Sequence, residues 1–182
     1  SAMVVAGQLV TASMAAFAFA RLRFPGKGIL FALLMSALMI PIQATIIPVF
    51  VLMSKIGLAN TLWSLILPGL SSAFGVFLLR QYFLTIPNEL EDAARIDGAN
   101  TWQIYWQIML PLCRPALAVL AILTFNGTWN EYFRPLIFLN TPENFTLPLG
   151  LVTLRGSFAS GSISAVLAGV VLSLLPVLFL YI

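Results

Sequence analysis

Charge is scarce in this chain. Lys, Arg, Asp and Glu make up 8% of its 182 residues and hydrophobic residues 60%, whereas a soluble domain carries about 25% charged residues. Water is thereby excluded as its main solvent. Histidine is absent and cysteine occurs once, at Cys113. The commonest general base is missing, no internal disulfide can form, and no thiol cage for a metal can be built. Cys113 reads instead as a small buried apolar residue at a helix entrance. No GxxxxGK[ST] sequence occurs, which excludes ATP binding through that phosphate loop. Nothing charged precedes Ala2, the wrong pattern for a secretory signal, whose positive charges come before its apolar core.

What is present is a series of apolar runs. A helix rising about 1.5 Å per residue crosses a hydrocarbon core of roughly 30 Å in about twenty residues. Runs of that order fall at 2–20, 28–52, 62–79, 112–133 and 162–182. They do not alternate as barrel strands do, so the expected fold is an all-α, polytopic transmembrane helix bundle forming one domain over 1–182. Basic residues report sidedness. Six of the nine, Arg21, Arg23, Lys27, Arg80, Arg95 and Arg114, fall on one side of these spans, and Lys55, Arg134 and Arg155 on the other. The bias places 21–27 and 80–114 in the cytoplasm, and 53–61, 134–161 and the start of the chain outside. Without an initiator methionine, and ending inside an apolar run, the chain reads as a fragment lacking at least one earlier span.

The connector 80–111 is the most patterned stretch, holding four of the six acidic residues, Glu89, Glu91, Asp92 and Asp97. Its grammar predicts a short helix over 89–97. Asn88 stands as N-cap with Glu91 completing a capping box, and Pro87 bars an earlier start. Acids fill the first turn and Arg95 the end, as the macrodipole favours. Gly98 supplies a left-handed stop. Fewer than the roughly 12–15 residues an isolated helix needs, it must be held by packing. A second helix over 101–110 carries Trp102, Tyr105, Trp106 and Met109 as one apolar stripe. On this grammar alone the stretch is a capped linker or a docking element. The small Ala93 and Ala94, ringed by Glu91, Asp92, Arg95 and Asp97, favour docking through charge-assisted bonds.

Asp92-Ala93-Ala94, three residues, Gly98, nine residues, then Ile108-Met109-Leu110-Pro111 resembles the EAA loop of permeases from binding-protein-dependent ABC importers. Asp92 departs from the family's glutamate, keeping the charge on a shorter arm. Phe19-Ala20-Arg21-Leu22-Arg23-Phe24-Pro25-Gly26, Gly57-Leu58-Ala59-Asn60-Thr61, Ala94-Arg95-Ile96-Asp97-Gly98-Ala99 and Trp129-Asn130-Glu131 look like the carbohydrate-uptake, MalG-like branch. The resemblance implies a type I importer permease of the bacterial cytoplasmic membrane with six spans, five of them here. It implies a second homologous permease, two ATPase subunits that bind ATP and Mg, and an extracytoplasmic solute-binding protein as partners, with a sugar as cargo. This chain would hold no cofactor and catalyse nothing. The 89–97 helix would seat in an ATPase groove through Glu91, Asp92, Ala93, Ala94, Arg95, Asp97 and Gly98, and ATPase closure would rock the attached spans.

Within the run 112–133, Asn126, Trp129, Asn130 and Phe133 fall at i, i+3, i+4 and i+7 and would share one helix face. Two amides among aromatic rings suit a sugar pathway; an aromatic belt with amide bonds between helices explains them as well. Gln8, Thr11, Gln43 and Thr45 read as polar contacts between helices, Pro41 and Pro48 as kinks, and Gly7, Ala12, Ala15 and Ala16 as close-packing positions. Outside, 140–161 reads as a surface loop, Gly/Ser-rich over 156–164; the family resemblance implies that it reaches the docked binding protein. A secondary transporter or channel would need ionisable groups mid-span. None sits there; Glu131 falls near the outer end. A membrane-anchor subunit would not need so patterned a connector. Within the importer class, glycerol phosphate is the alternative cargo.

Overall fold

A computed structural model describes residues 1–157 and 163–180. The helices are α1 (Ala2–Arg21), α2 (Lys27–Ser36), α3 (Ile42–Lys55), α4 (Trp63–Gly69), α5 (Ala73–Thr85), α6 (Glu89–Ile96), α7 (Thr101–Gln103), α8 (Leu110–Leu112), α9 (Arg114–Trp129), α10 (Phe133–Phe138), α11 (Leu147–Ser157) and α12 (Ile163–Leu180). A π-helix, Ile104–Met109, joins α7 to α8. The chain divides into two compact units, one of Ala2–Ile42 and Gly69–Thr124, the other of Ser1, Gln43–Pro68 and Phe125–Ile182.

Two segments are long and apolar enough to cross a membrane, Ala2–Arg21 and Trp63–Thr85. Two more qualify only as pairs across a break, Lys27–Met39 with Ile42–Lys55 and Thr101–Leu112 with Arg114–Trp129. The described residues thus hold two to four candidate spans rather than the five expected. The second run fails as one helix because Ile40, preceding Pro41, is extended (φ −86°, ψ 116°), the conformation that proline imposes on its predecessor. The fourth, expected over 112–133, is one helix only over Arg114–Trp129, 16 residues, and meets the preceding Thr101–Leu112 at 73°. The last run is an apolar helix over Ile163–Leu180. Residues 158–162 and 181–182 of the predicted loop and span lie outside the described residues. Where a surface loop is expected over 140–161, α11 forms over Leu147–Ser157.

In the first unit α1 packs along α5. Ala12 and Ala16 are fully buried, and a Cβ added to Gly75 would lie 3.2 Å from the Cβ of Ala12. Small residues permit this approach, which in lipid replaces hydrophobic collapse as the source of helix association. Phe17, Leu79, Phe83, Ile104, Met109 and Leu120 complete the core. Gln8 and Thr11 make the contacts expected of them: Gln8 Nε2 donates to the Gly69 carbonyl (2.8 Å), its Oε1 accepts from Thr124 (2.8 Å), and Thr11 Oγ1 donates to the Leu70 carbonyl (2.6 Å). Those carbonyls are open because the chain interrupts its helix between Gly69 and Ala73.

In the second unit Phe138 packs on Ile46 and Met53 and meets Phe50 edge-on at 5.5 Å. Asn60 takes a left-handed conformation (φ 59°), which asparagine tolerates better than most residues. Its Oδ1 accepts from the backbone N–H groups of Asn140 (2.7 Å) and Thr141 (3.1 Å), and its carbonyl from Asn144 Nδ2 (2.7 Å). Ile29, Leu30 and Leu33 on α2 and Val171, Leu172 and Phe179 on α12 are exposed. Hydrocarbon chains solvate such faces as well as protein does.

Candidate functional site

The candidate site is α6 and its surroundings. Pro87 holds Ile86 extended (φ −75°, ψ 129°), ending α5 and freeing the chain to start again. The expected capping box at Asn88 and Glu91 does not form: Asn88 is helical (φ −70°, ψ −25°) and its side chain caps nothing. Arg21, the last residue of α1, takes both side chains instead. Its Nη1 donates to Asn88 Oδ1, and its Nε lies 2.9 Å from Glu91 Oε1 with both side chains almost wholly buried. Its Nη2 donates to the carbonyls of Phe83 (2.6 Å) and Ile86. A buried charge attracts the nearest acceptors more strongly than an orphan backbone N–H does, because leaving it unpaired costs about 3–5 kcal/mol against roughly 1 kcal/mol for a lost cap.

The C-terminal end of α6 follows its sequence. Gly98 is left-handed (φ 83°), the Ala99 N–H reaches the Ala94 carbonyl at 2.9 Å and the Gly98 N–H that of Arg95 at 3.1 Å. This is the Schellman arrangement. Nothing lies within 4 Å of a Cβ added to Gly98, so backbone conformation, not space, calls for glycine.

The predicted contact residues separate into two faces. Glu91 and Ala94 are buried and point inward. Asp92, Ala93, Arg95, Asp97 and Gly98 are exposed. Ile96, not selected from sequence, is 86% exposed. At 100° per residue it lies between Asp92 and Ala93, so the outward face is an apolar centre rimmed by charge. Its signal in the sequence is a large apolar residue opposite the buried face of an otherwise charged helix. Beside α6 lies a cleft of about 770 Å³ whose lining includes Arg21, Arg23, Lys27, Asn88, Asp92 and Arg95. Lys27 Nζ donates to the Leu22 carbonyl (2.9 Å) and Arg80 Nε to that of Phe19 (3.1 Å), cations at the negative end of the α1 dipole.

After α6, Asn100 caps the next helix with a full capping box: Gln103 N–H donates to Asn100 Oδ1 (2.9 Å) and Asn100 N–H to Gln103 Oε1 (2.8 Å). The single aromatic stripe expected here is divided by the π-helix. Tyr105 and Met109 are buried, Tyr105 sharing a 2.8 Å hydrogen bond with Ser13 of α1. Trp102 and Trp106 stack on each other and stay exposed.

The second candidate group is brought together only in part. α9 stops at Trp129, and Phe133 opens α10, so the four residues do not share one helix face. Asn130 Nδ2 donates to Asn126 Oδ1 at 2.6 Å. Trp129 stacks on Phe125 and donates its indole N–H to the Ser173 carbonyl at 3.0 Å. Glu131 is held by Arg134, whose Nη2 lies 2.7 Å from its Oε2.

Comparison with known proteins agrees with this architecture. The family described as "Binding-protein-dependent transport system inner membrane component" matches residues 8–182. The arabinooligosaccharides transport system permease protein AraQ of Halalkalibacterium halodurans is 41% identical over 182 residues, covering 100% of this chain and 65% of the relative. The sn-glycerol-3-phosphate transport system permease protein UgpE of Yersinia enterocolitica is 33% identical over 174 residues, 95% of this chain and 62% of the relative. This chain thus spans less than two thirds of the length of these curated relatives. Among solved structures, a bacterial ABC transporter involved in the import of the acidic polysaccharide alginate matches with a TM-score of 0.82 and 29% identity, over 99% of this chain and 68% of that one. An all-helical fold, an apolar exterior and this match along nearly its whole length place the chain in the family of binding-protein-dependent transport system inner membrane components.

Proposed function

We propose that this chain is the permease subunit of an ATP-driven importer that carries a sugar or oligosaccharide across the inner membrane, and that it belongs to a six-span subunit. It works beside a second, homologous permease, two ATPase subunits that bind ATP and Mg, and an extracytoplasmic binding protein. ATP hydrolysis belongs to the ATPases. The observation carrying this reading is the outward face of α6. Asp92, Ala93, Ile96 and Asp97 present an apolar centre with a charged rim on a helix whose opposite side, Glu91 and Ala94, is fixed inward. Such a face fits a groove in an ATPase, with Arg95 and Gly98 at its border. The carbohydrate cargo rests on similarity to the arabinooligosaccharide permease. Glycerol phosphate is the alternative cargo, resting on the 33% identity to the glycerol-3-phosphate permease, lower than the 41% to the arabinooligosaccharide permease.

The test is purification through this subunit, in lipid, with ATPase activity measured while loaded binding proteins are varied. Co-purification of an ATPase stimulated by an oligosaccharide-loaded binding protein is expected. Stimulation only by glycerol phosphate would change the cargo, and a subunit that purifies without any ATPase would overturn the importer reading.

A further inference from the structure

We propose that Arg21 and Glu91 form a latch that makes α6 and the end of α1 move as one body, with Arg21 the positioning residue of the coupling step. This rests on the reading of α6 as the ATPase-facing helix. By sequence α6 is tied to α5 through the short link at Ile86, Pro87 and Asn88 and to α7 through the link from Asp97 to Asn100, and has no chain connection of its own to α1. Arg21 comes from α1 and reaches across that link. Its guanidinium engages the Phe83 carbonyl in the last turn of α5, the Ile86 carbonyl and Asn88 Oδ1 in the link, and the Glu91 carboxylate in α6 itself, at 2.9 Å. One planar, multi-donor group thus holds three consecutive pieces of chain; a lysine has no such fork.

The Glu91 carboxylate also faces outward influence. Its Oε2 lies 3.9 Å from Arg95 Nη2, and the Arg95 side chain is half exposed, on the flank of the outward face. A partner pulling on Arg95 acts on the same carboxylate that Arg21 holds. With the guanidinium in place, displacement of an eight-residue helix passes to the twenty-residue α1. Without it, the load reaches α1 only indirectly, through the extended link to α5 and through the π-helix, whose Tyr105 bonds Ser13.

The experiment uses the full subunit in its assembled complex, in lipid, with spin labels at Ala18 on α1 and Glu89 on α6. In the wild type the label distance is expected to be narrow and the same in nucleotide-free and ATP-trapped states. In Arg21→Met it is expected to broaden, and cargo moved per ATP hydrolysed to fall at least tenfold, while the ATPases still co-purify. A merely structural residue would lower assembly without changing that ratio. A wild-type distance that shifts between the two states overturns the latch, as does Arg21→Met with unchanged width and ratio. If Arg21→Met does not assemble, Glu91→Gln, which keeps the side-chain size and removes the charge, must broaden the distance; unchanged width again overturns the proposal. Absence of any ATPase with the wild type would sink the functional reading and the coupling role with it. The same distance, measured on the subunit alone, then decides separately whether the latch exists.

Discussion

Gly98 is where a single residue is most directly answerable to local physics. Its φ of 83° with open space at the Cβ means that a side chain is opposed by backbone conformation, at about 1–2 kcal/mol, and by no neighbour. Substitutions should therefore follow tolerance of the left-handed region: Gly98→Asn close to wild type, Gly98→Ala weaker, Gly98→Val weakest. ATPase co-purification together with hydrogen exchange over α6 measures this order, and Val matching Gly would refute the conformational argument. Asn126 and Asn130 pose the opposite problem, since their amides already bond each other at 2.6 Å. If they line the pathway, Asn130→Ala, the exposed member, should raise the transport KM several-fold with little change in assembly. Unchanged kinetics would leave them as a helix-end clasp. Gly98 was legible because its signal is local. The inward turn of Glu91 was not, because Arg21, 70 positions earlier, competes for the groups that local grammar assigns to a cap.

At the scale of elements, the α1–α5 pair shows how far small residues carry a prediction. Ala12 and Ala16 were readable as a close-packing stripe, and both are fully buried; the partner, Gly75 on α5, had no marker in its own run. Enlarging that contact should cost about 1–3 kcal/mol, so Gly75→Leu is expected to lower the melting temperature of the detergent-solubilised subunit measurably. A mutant melting with the wild type would place the α1–α5 contact elsewhere. The aromatic stripe failed for a definable reason. It assumed 3.6 residues per turn across 101–110, and the π-helix at Ile104–Met109 changes the register, sending Tyr105 inward and leaving Trp102 and Trp106 outside. Periodicity predicts faces only while the helix type stays constant. Proline at position 41 was legible as a kink and proved a full break, because Ile40 left the helical region altogether.

For the whole molecule, the helical class was legible in the sequence, because scarcity of charge and repeated apolar runs are global properties that no local detail reverses. Uninterrupted spans are fewer than the apolar runs, since composition alone does not register the break at residues 40–41 or the stop of α9 at Trp129. Sidedness follows from a different global quantity, the six-to-three division of the nine basic residues, and it is open to direct test. Cys113 is the lone native thiol and is fully buried, so a membrane-impermeant maleimide should ignore it and report only on introduced sites. Glu89→Cys and Glu143→Cys both replace exposed side chains, the first in the connector assigned to the cytoplasm and the second in the segment assigned outside. In intact cells Glu143→Cys should label and Glu89→Cys should not, while inverted vesicles should reverse the result. Labelling of Glu89→Cys from outside would invert the topology, put the charged face of α6 on the wrong side for an ATP-driven partner, and remove the basis for coupling through that helix.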